Sequence, residues 1–172
     1  AKWEWIGFLF TAAAGVAGHF LYDWSGRSAI VAAFAAVNES TWEHMKLLFV
    51  PVFLFTMLEF IVFAESFQNF FAAKAAAMLC GELAIPLLFY TLNGMFGQTP
   101  GFVNIAIFFA ADALVFALSC RLLRSGALRG GLLQILGFLL FWALAFLFIL
   151  FTYRPPRLPL FRDPQSGGYG LA

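Results

Sequence analysis

Residues 132–153 read LLQILGFLLFWALAFLFILFTY, and this stretch contains no Asp, Glu, Lys or Arg. A helix needs roughly 20 apolar residues to cross the hydrocarbon core of a bilayer, which is about 30 Å thick. The hydrophobicity is continuous rather than alternating, so a helix, and not a barrel strand, would satisfy the backbone hydrogen bonds of this segment in lipid. The stretch therefore predicts a transmembrane helix.

Four further apolar runs of similar length precede this one. They predict spanning helices over residues 5–22, 39–64, 70–92 and 102–122. Residues 28–37 are also apolar but too few to span, which predicts a short interfacial or re-entrant helix. The first run is long enough to be a retained helix rather than a cleaved signal peptide.

The composition of the whole chain agrees with a membrane location. It is 63% hydrophobic and only 11% charged, whereas a soluble domain needs about a quarter of its residues charged. We therefore predict an all-α fold, a polytopic transmembrane helix bundle that forms one domain over residues 1–172. The Pro-rich segment 154–172 cannot continue the last helix and is expected to fold back as a lid.

Charge limits the partners and indicates an orientation. A net charge of +1 gives no basic footprint for nucleic acid, so the expected partners are the lipid bilayer, a lipid or small-molecule ligand, and a partner subunit. Before the tail, Lys and Arg are more numerous on the N-terminal side, which favours an N-terminus inside a bacterial cytoplasmic membrane. Three arginines in the tail reduce that margin.

Five crossings bring polar residues from distant segments to one membrane face. The first and third helices end at this face, the second begins there, and the tail emerges there. Both histidines of the chain, His19 and His44, therefore belong to it. At the same face we expect substrate or ion contacts from Asn38, Trp42, Tyr90 and Arg162.

The spacing of the ionisable residues at this face predicts a metal site. His19 and Asp23 are four residues apart, so both side chains can point from one helix face. Imidazole and carboxylate groups together suit Zn²⁺ or another divalent metal ion, and a metal with an open position activates water. We predict His19, Asp23 and His44 as the metal ligands.

The start of the second spanning helix supplies candidate catalytic groups. Glu39 and Glu43 are four residues apart, which predicts one helix face for both, and either could act as general base. Ser40 shares the same spacing with His44 and completes the predicted catalytic set.

Two carboxylates lie deeper in the predicted bundle. Glu82 and Asp112 are about ten residues from the polar face, or roughly 15 Å at 1.5 Å per residue. Carboxylates at such depth are costly and usually line a cavity, pair with another group or serve a function. We predict that both bind an ion or substrate.

Each of these residues also has a plainer interpretation. His19 and Asp23 can form a hydrogen-bonded pair at a helix end, and Glu39 and Glu43 suit the first turn of a helix. Trp42 is also typical of the aromatic belt at a membrane interface. The concentration of ionisable groups on one side is therefore a stronger signal than any one of them.

Three segments resemble a known family. NESTWEH at residues 38–44, HFLYDWSG at 19–26 and PPRLPLFRDP at 155–164 look like a small family of uncharacterised bacterial integral membrane proteins, classed as a domain of unknown function. Ser40 and His44 are also loosely similar to the Ser-x-x-x-His element of membrane hydrolases such as alkaline ceramidases and adiponectin receptors. That resemblance implies a zinc-binding His44 with Ser40 nearby, but this chain has no histidine after His44.

These features leave three functions open. The first is a membrane-embedded, metal-dependent hydrolase of a lipid or amphiphile, and the second is a small-molecule or ion-binding transport protein of the substrate-binding subunit type. The third is a structural or assembly protein of the membrane.

Overall fold

The computed structural model describes residues 2–63, 66–98 and 100–171, and these ranges contain helices and turns but no strand. The elements in chain order are α1 (Lys2–Trp24), α2 (Ala29–Ala32), α3 (Thr41–Phe63), α4 (Phe70–Phe96), α5 (Gly101–Ser125), α6 (Gly131–Tyr153) and a 3-10 turn (Pro159–Phe161). Five of these helices, all except α2, are long and apolar enough to cross a membrane. The predicted fold class is therefore confirmed.

Several helix bounds differ from the predicted ones. Helix α2 is a single turn, shorter than the predicted segment 28–37, and α1, α4 and α5 each extend beyond the predicted ends. The predicted second spanning helix ended at Ala64, and this residue, together with Glu65 and Thr99 in the predicted loops, lies outside the described residues.

Helix α3 begins at Thr41 rather than at the predicted residue 39, because the preceding residues form a cap. Asn38 Oδ1 accepts a hydrogen bond from the backbone N–H of Ser40 at 2.9 Å, and Ser40 Oγ accepts one from the N–H of Glu43 at 3.3 Å. Asn and Ser side chains favour such caps over helix interiors. Glu39 thus precedes the helix, and the predicted helix face shared by Glu39 and Glu43 does not form.

Helix α3 lies at the centre of the bundle. It contacts α1, α4, α5 and α6. Within its apolar 18-residue stretch, 50% of the residues are buried, against 17–33% in the other four spanning helices. Its buried face is rich in Phe: Phe49 packs on Phe148 of α6 with ring centroids 4.8 Å apart, and Phe55 packs on Phe116 of α5 at 6.0 Å.

Glycines allow the outer helices to approach closely, as is common for helices packed in membranes. A Cβ added at Gly137 of α6 would lie 2.6 Å from the backbone oxygen of Phe71 in α4. A Cβ added at Gly7 of α1 would lie 2.3 Å from the Phe116 ring of α5. These positions have no room for a side chain.

The tail folds back over the start of α3. The Phe161 ring packs on Trp42 with centroids 4.9 Å apart, and Asn38 Nδ2 donates a hydrogen bond to the backbone oxygen of Gly170 at 3.0 Å. Residues 154–171 therefore lie at the polar face, in the position that a lid requires. Their function as a lid stays a prediction.

The Gly137 contact generates a stability prediction. Gly137→Ala is expected to lower the free energy of unfolding by about 1–3 kcal/mol, because the added methyl group must push α6 away from the α4 backbone. Thermal unfolding in detergent would measure the change. Gly94→Ala is the matched control, since nothing lies within 4 Å of a Cβ added there. Equal melting temperatures for the two variants would contradict the packing described here.

Candidate metal centre

Two histidines and one glutamate meet at the polar face. His19 lies near the end of α1, Glu39 in the turn before α3, and His44 in the first turn of α3. One ligand atom from each residue lies within 4.8 Å of the other two. The Nε2 atoms of His19 and His44 lie 3.5 Å from Glu39 Oε1 and Oε2, respectively. All three side chains are partly exposed, between 27% and 35%.

The hydrogen bond of His44 selects its tautomer. Its Nδ1 lies 3.0 Å from the backbone oxygen of Ser40, and since a carbonyl oxygen can only accept, Nδ1 carries the hydrogen. Nε2 is then the nitrogen directed at Glu39. This arrangement, with one ring nitrogen on a backbone carbonyl and the other free for a ligand, is usual for metal-binding histidines. The 3.5 Å between His44 Nε2 and Glu39 Oε2 is longer than a usual hydrogen bond. This separation leaves room for an ion to be bound by both atoms.

The tail holds Glu39 in place through Asp163. The carboxylate of Asp163 accepts hydrogen bonds from Ser166 Oγ at 2.5 Å and from the backbone N–H groups of Gln165 and Ser166 at 3.0 and 3.2 Å. It also accepts one from the backbone N–H of Glu39. Burial alone would raise the pKa of Asp163, but these hydrogen bonds outweigh it and hold the pKa below the usual value of 3.8.

The three candidate metal ligands, His19, Glu39 and His44, border an apolar cavity of about 380 Å³. His19, Glu39, His44 and Asn104 supply its polar lining, and the rest is apolar, from Val16, Phe20, Leu47, Ile105, Phe108 and Phe109. Asn104 Oδ1 is buried and has no hydrogen-bond partner in the described part of the chain. Asn104 is not among the predicted site residues, although an Asn near the start of the apolar run 102–122 is a signal that the sequence offers.

A second cavity, of about 560 Å³, adjoins the first on the tail side. Glu39 lines both cavities, and the second is also lined by Tyr90, Arg157, Arg162 and Tyr169. Two of the residues predicted to contact a substrate or ion, Tyr90 and Arg162, thus line the same cavity as Glu39, one of the three candidate metal ligands. Asn38, a third, instead fastens the tail through Gly170.

Asp23, a predicted metal ligand, does not belong to the group formed by His19, Glu39 and His44. Its carboxylate is 72% exposed and pairs with Arg27 Nε at 3.2 Å. Glu39, which lies just before α3, is instead the carboxylate beside the two histidines.

Glu43, a predicted general base, is buried in an ion pair. Its Oε2 lies 2.6 Å from Lys46 Nζ, and it also accepts hydrogen bonds from Val37 N–H and from Thr152 Oγ1 of α6, both at 3.1 Å. Lys46 Nζ also donates to the backbone oxygen of Ala32 at 2.8 Å. With its oxygens engaged in this way, Glu43 is a structural group rather than a free base.

Ser40 and Trp42 also have structural contacts. The Ser40 hydroxyl caps α3 through Glu43. Trp42 packs among aromatic rings of α6 and the tail, 4.4 Å from Phe148 and 4.9 Å from Phe161. Neither the Ser40 hydroxyl nor the Trp42 ring belongs to the group of candidate metal ligands formed by His19, Glu39 and His44.

Glu82 and Asp112 lie inside the bundle, as the sequence analysis expected. Glu82 on α4 is 3% exposed and Asp112 on α5 is 0% exposed. The carboxylate oxygens of both residues lack a hydrogen-bond partner within residues 2–63, 66–98 and 100–171. Their predicted role in ion binding stays a prediction at this point.

A family model for DUF6512, described as a family of unknown function, matches residues 1–171. The chain belongs to the DUF6512 family. The resemblance carried by residues 19–26, 38–44 and 155–164 is thereby confirmed. No curated protein and no solved structure matches the chain. Within this DUF6512 chain, function must be argued from the arrangement of side chains.

The structural role of Glu43 can be tested. Glu43→Gln is expected to lower the free energy of unfolding by about 3–5 kcal/mol, because Lys46 would remain charged and buried without its partner. Thermal unfolding in detergent is the measurement. The double variant Glu43→Gln/Lys46→Met removes both charges and should recover most of the loss. A Glu43→Gln protein as stable as the wild type would refute the ion pair.

The role of Asp163 gives a second prediction. Its lowered pKa means that ionised Asp163 stabilises the folded tail above pH 3.8, and that this stabilisation is lost as the pH falls through the lower folded-state value. At neutral pH, Asp163→Asn should expose the tail and speed tryptic cleavage after Arg157. Asp23→Asn, an exposed aspartate, is the control. Equal cleavage rates for both variants would show that Asp163 does not hold the tail.

Proposed function

We propose that the protein is a membrane-embedded, metal-dependent hydrolase that acts on a lipid or another amphiphile at one membrane face. The observation that carries this proposal is the approach of His19, Glu39 and His44 to within 4.8 Å at the wall of an apolar cavity. A bacterial cytoplasmic membrane with the N-terminus inside remains a prediction from the loop charges.

The donor set favours Zn²⁺. Two imidazoles and one carboxylate are the protein ligands of a well-known class of catalytic zinc site, in which the fourth position holds water or substrate. In such a site the metal makes its bound water acidic and polarises the substrate carbonyl or phosphoryl group. The three side chains are partly exposed, so water and a polar headgroup can reach them.

The surrounding residues suit an amphiphile. The cavity has the size of a small ligand site, and its Phe, Leu and Val side chains would accommodate an apolar chain. The unpartnered Asn104 Oδ1 can accept a hydrogen bond from an N–H or O–H of the substrate. Arg157 and Arg162, which line the adjoining cavity, would attract an anionic headgroup.

Glu43 is held by Lys46 and Ser40 by the cap of α3, so the metal-bound water itself would be the nucleophile. His44 is oriented by the Ser40 carbonyl, and Glu39 by Asp163. Ser40 and Asp163 therefore act as positioning residues.

Metal analysis tests the proposed ligands. Protein purified without chelator and dialysed against Zn²⁺ should retain about one ion per chain. His19→Ala, Glu39→Gln and His44→Ala should each lose it, because two ligands are too few for tight binding. Asp23→Asn is the matched control and should retain the ion. Retention by all three ligand variants, or loss by Asp23→Asn alone, would contradict the assignment.

Hydrolysis is tested separately with the same proteins. Zinc-loaded wild type in micelles should release fatty acid or headgroup from at least one ester, amide or phosphoester amphiphile, and the Glu39→Gln variant should not. A protein that binds zinc stoichiometrically but cleaves none of the three bond types would refute the hydrolase and leave the metal site standing.

A further inference from the structure

Helices α1 and α5 pack antiparallel in a constant register. A Cβ added at Gly7 would lie 2.3 Å from the Phe116 ring, and one at Gly15 would lie 2.4 Å from the Phe108 ring. From Gly7 to Gly15 the chain advances eight residues along α1, while the facing residue on α5 moves back eight, from Phe116 to Phe108. Continuing this register by four residues from either glycine places Thr11 opposite Asp112. We call the interface between α1 and α5 the seam.

The middle of the seam holds two buried polar groups. Thr11 and Asp112 are both 0% exposed, and neither Thr11 Oγ1 nor the Asp112 carboxylate has a hydrogen-bond partner among the described residues. A carboxylate in this environment would be very costly if it were ionised and unpaired. Asp112 must therefore carry a proton or bind a cation.

A proton fits this position better than a metal cation. Gly81 of α4, next to the unpartnered Glu82, packs on Ala111 and Val115 of α5, so a second carboxylate belongs to a helix that contacts α5 around Asp112. Hard metal cations take six or more oxygen ligands, whereas the two carboxylates and the Thr11 hydroxyl supply five oxygens at most. A proton needs only one oxygen. An aspartic acid that gains and loses a proton inside a helix bundle is the usual element of a proton relay.

The lower end of the seam, at the membrane face opposite His19, is a second buried charge cluster. Lys74 Nζ lies 2.9 Å from Glu4 Oε1 and 2.5 Å from Glu59 Oε2, and Ser119 Oγ of the seam donates to Glu4 Oε1 at 3.1 Å. Two carboxylates and one ammonium leave one negative charge if all are ionised. Glu4 Oε2 is buried and has no partner in the described ranges, so it can accept a proton.

A cavity gives this lower cluster access to the membrane surface. It measures about 230 Å³ and is lined by Glu4, Glu59 and Arg124, among others. At the upper end, the same register places Asn104 opposite His19, and both line the 380 Å³ cavity described above. Polar groups thus occupy three levels of the seam, two of which adjoin cavities.

We propose that the seam is a proton path across the membrane, with Asp112 as its central carrier and Glu4 as the acceptor at the lower face. Asp112 gives its proton to a water that passes it to Glu4, and Glu4 releases a proton through the lower cavity to the aqueous phase. A hydronium ion that enters through the upper cavity returns a proton to Asp112. Thr11 lies about 10 Å from Glu4 along α1, so water must enter the seam. Phe116 and Phe108, packed on Gly7 and Gly15, are the barriers that must move. This proposal does not depend on the metal site.

Proton flux through the full chain in liposomes tests the path. Vesicles loaded with a pH-sensitive dye would receive a potassium gradient and valinomycin, and the rate of internal pH change would be recorded. Wild-type vesicles should change pH faster than protein-free vesicles, and Asp112→Asn should fall to the protein-free rate. A wild type no faster than empty vesicles, or an Asp112→Asn variant as fast as the wild type, would overturn the proposal.

A pair of threonine variants guards against a general effect on folding. Thr11→Val removes a hydroxyl from the seam, and Thr56→Val makes the same change in α3, where the residue is also buried, at 1% exposure. Thr11→Val should slow the flux and Thr56→Val should not. Equal slowing by both variants would overturn the role of the seam. A flux that requires Na⁺ in the buffer would overturn the assignment to protons.

Discussion

The buried ion pair between Glu43 and Lys46 is the interaction on which the polar face depends. Lys46 joins α3 to the end of α2 through the Ala32 carbonyl and to α6 through Thr152, with both hydrogen bonds at 2.8 Å. Glu43 binds the N–H of Val37, which fixes the chain just before the cap. These contacts hold the segment before α3 in place, and the cap formed by Asn38 and Ser40 then leaves Glu39 outside the helix, where it can reach His19.

The polar residues of the bundle divide according to whether their hydrogen-bonding capacity is used. The Glu43–Lys46 pair is fully buried and its groups are engaged, as a structural network must be in a low-dielectric interior. His19, Glu39 and His44 are partly exposed and meet at distances too long for hydrogen bonds. Asp112 has no partner in the described part of the chain. Plain packing does not require these last two groups.

The spanning helices could be predicted from the sequence, whereas most side-chain contacts at the polar face could not. Continuous apolar runs define spanning helices because length and composition alone decide membrane insertion. The crossing pattern also brought His19 and His44 to one face. Asp23 lies on α1 with His19, as the spacing predicted, but its carboxylate pairs with Arg27. The carboxylate beside the two histidines is that of Glu39, whose place outside α3 depends on a cap that helix periodicity does not show.

Partners far apart in the chain could not be predicted from spacing. Lys74 of α4 is buried in an ion pair with Glu4, which lies 70 residues earlier in the chain. Glu59 of α3 belongs to the same buried cluster. Pairing of this kind depends on which helix faces meet, and apolar runs such as 102–122 contain too little periodicity to show that.

Helix α1 connects the two proposed activities. Only 17% of its apolar 18-residue stretch is buried, the lowest share among the five spanning helices. It nevertheless supplies His19 to the candidate metal ligands, and Thr11 and Glu4 to the seam. Glu39 and His44 belong to α3 and its cap, so the three donors bridge a loosely packed helix to the central one. An ion bound by all three would hold α1 against α3 at the polar face. The same bond would restrict the separation of α1 from α5 that water needs to pass Phe108.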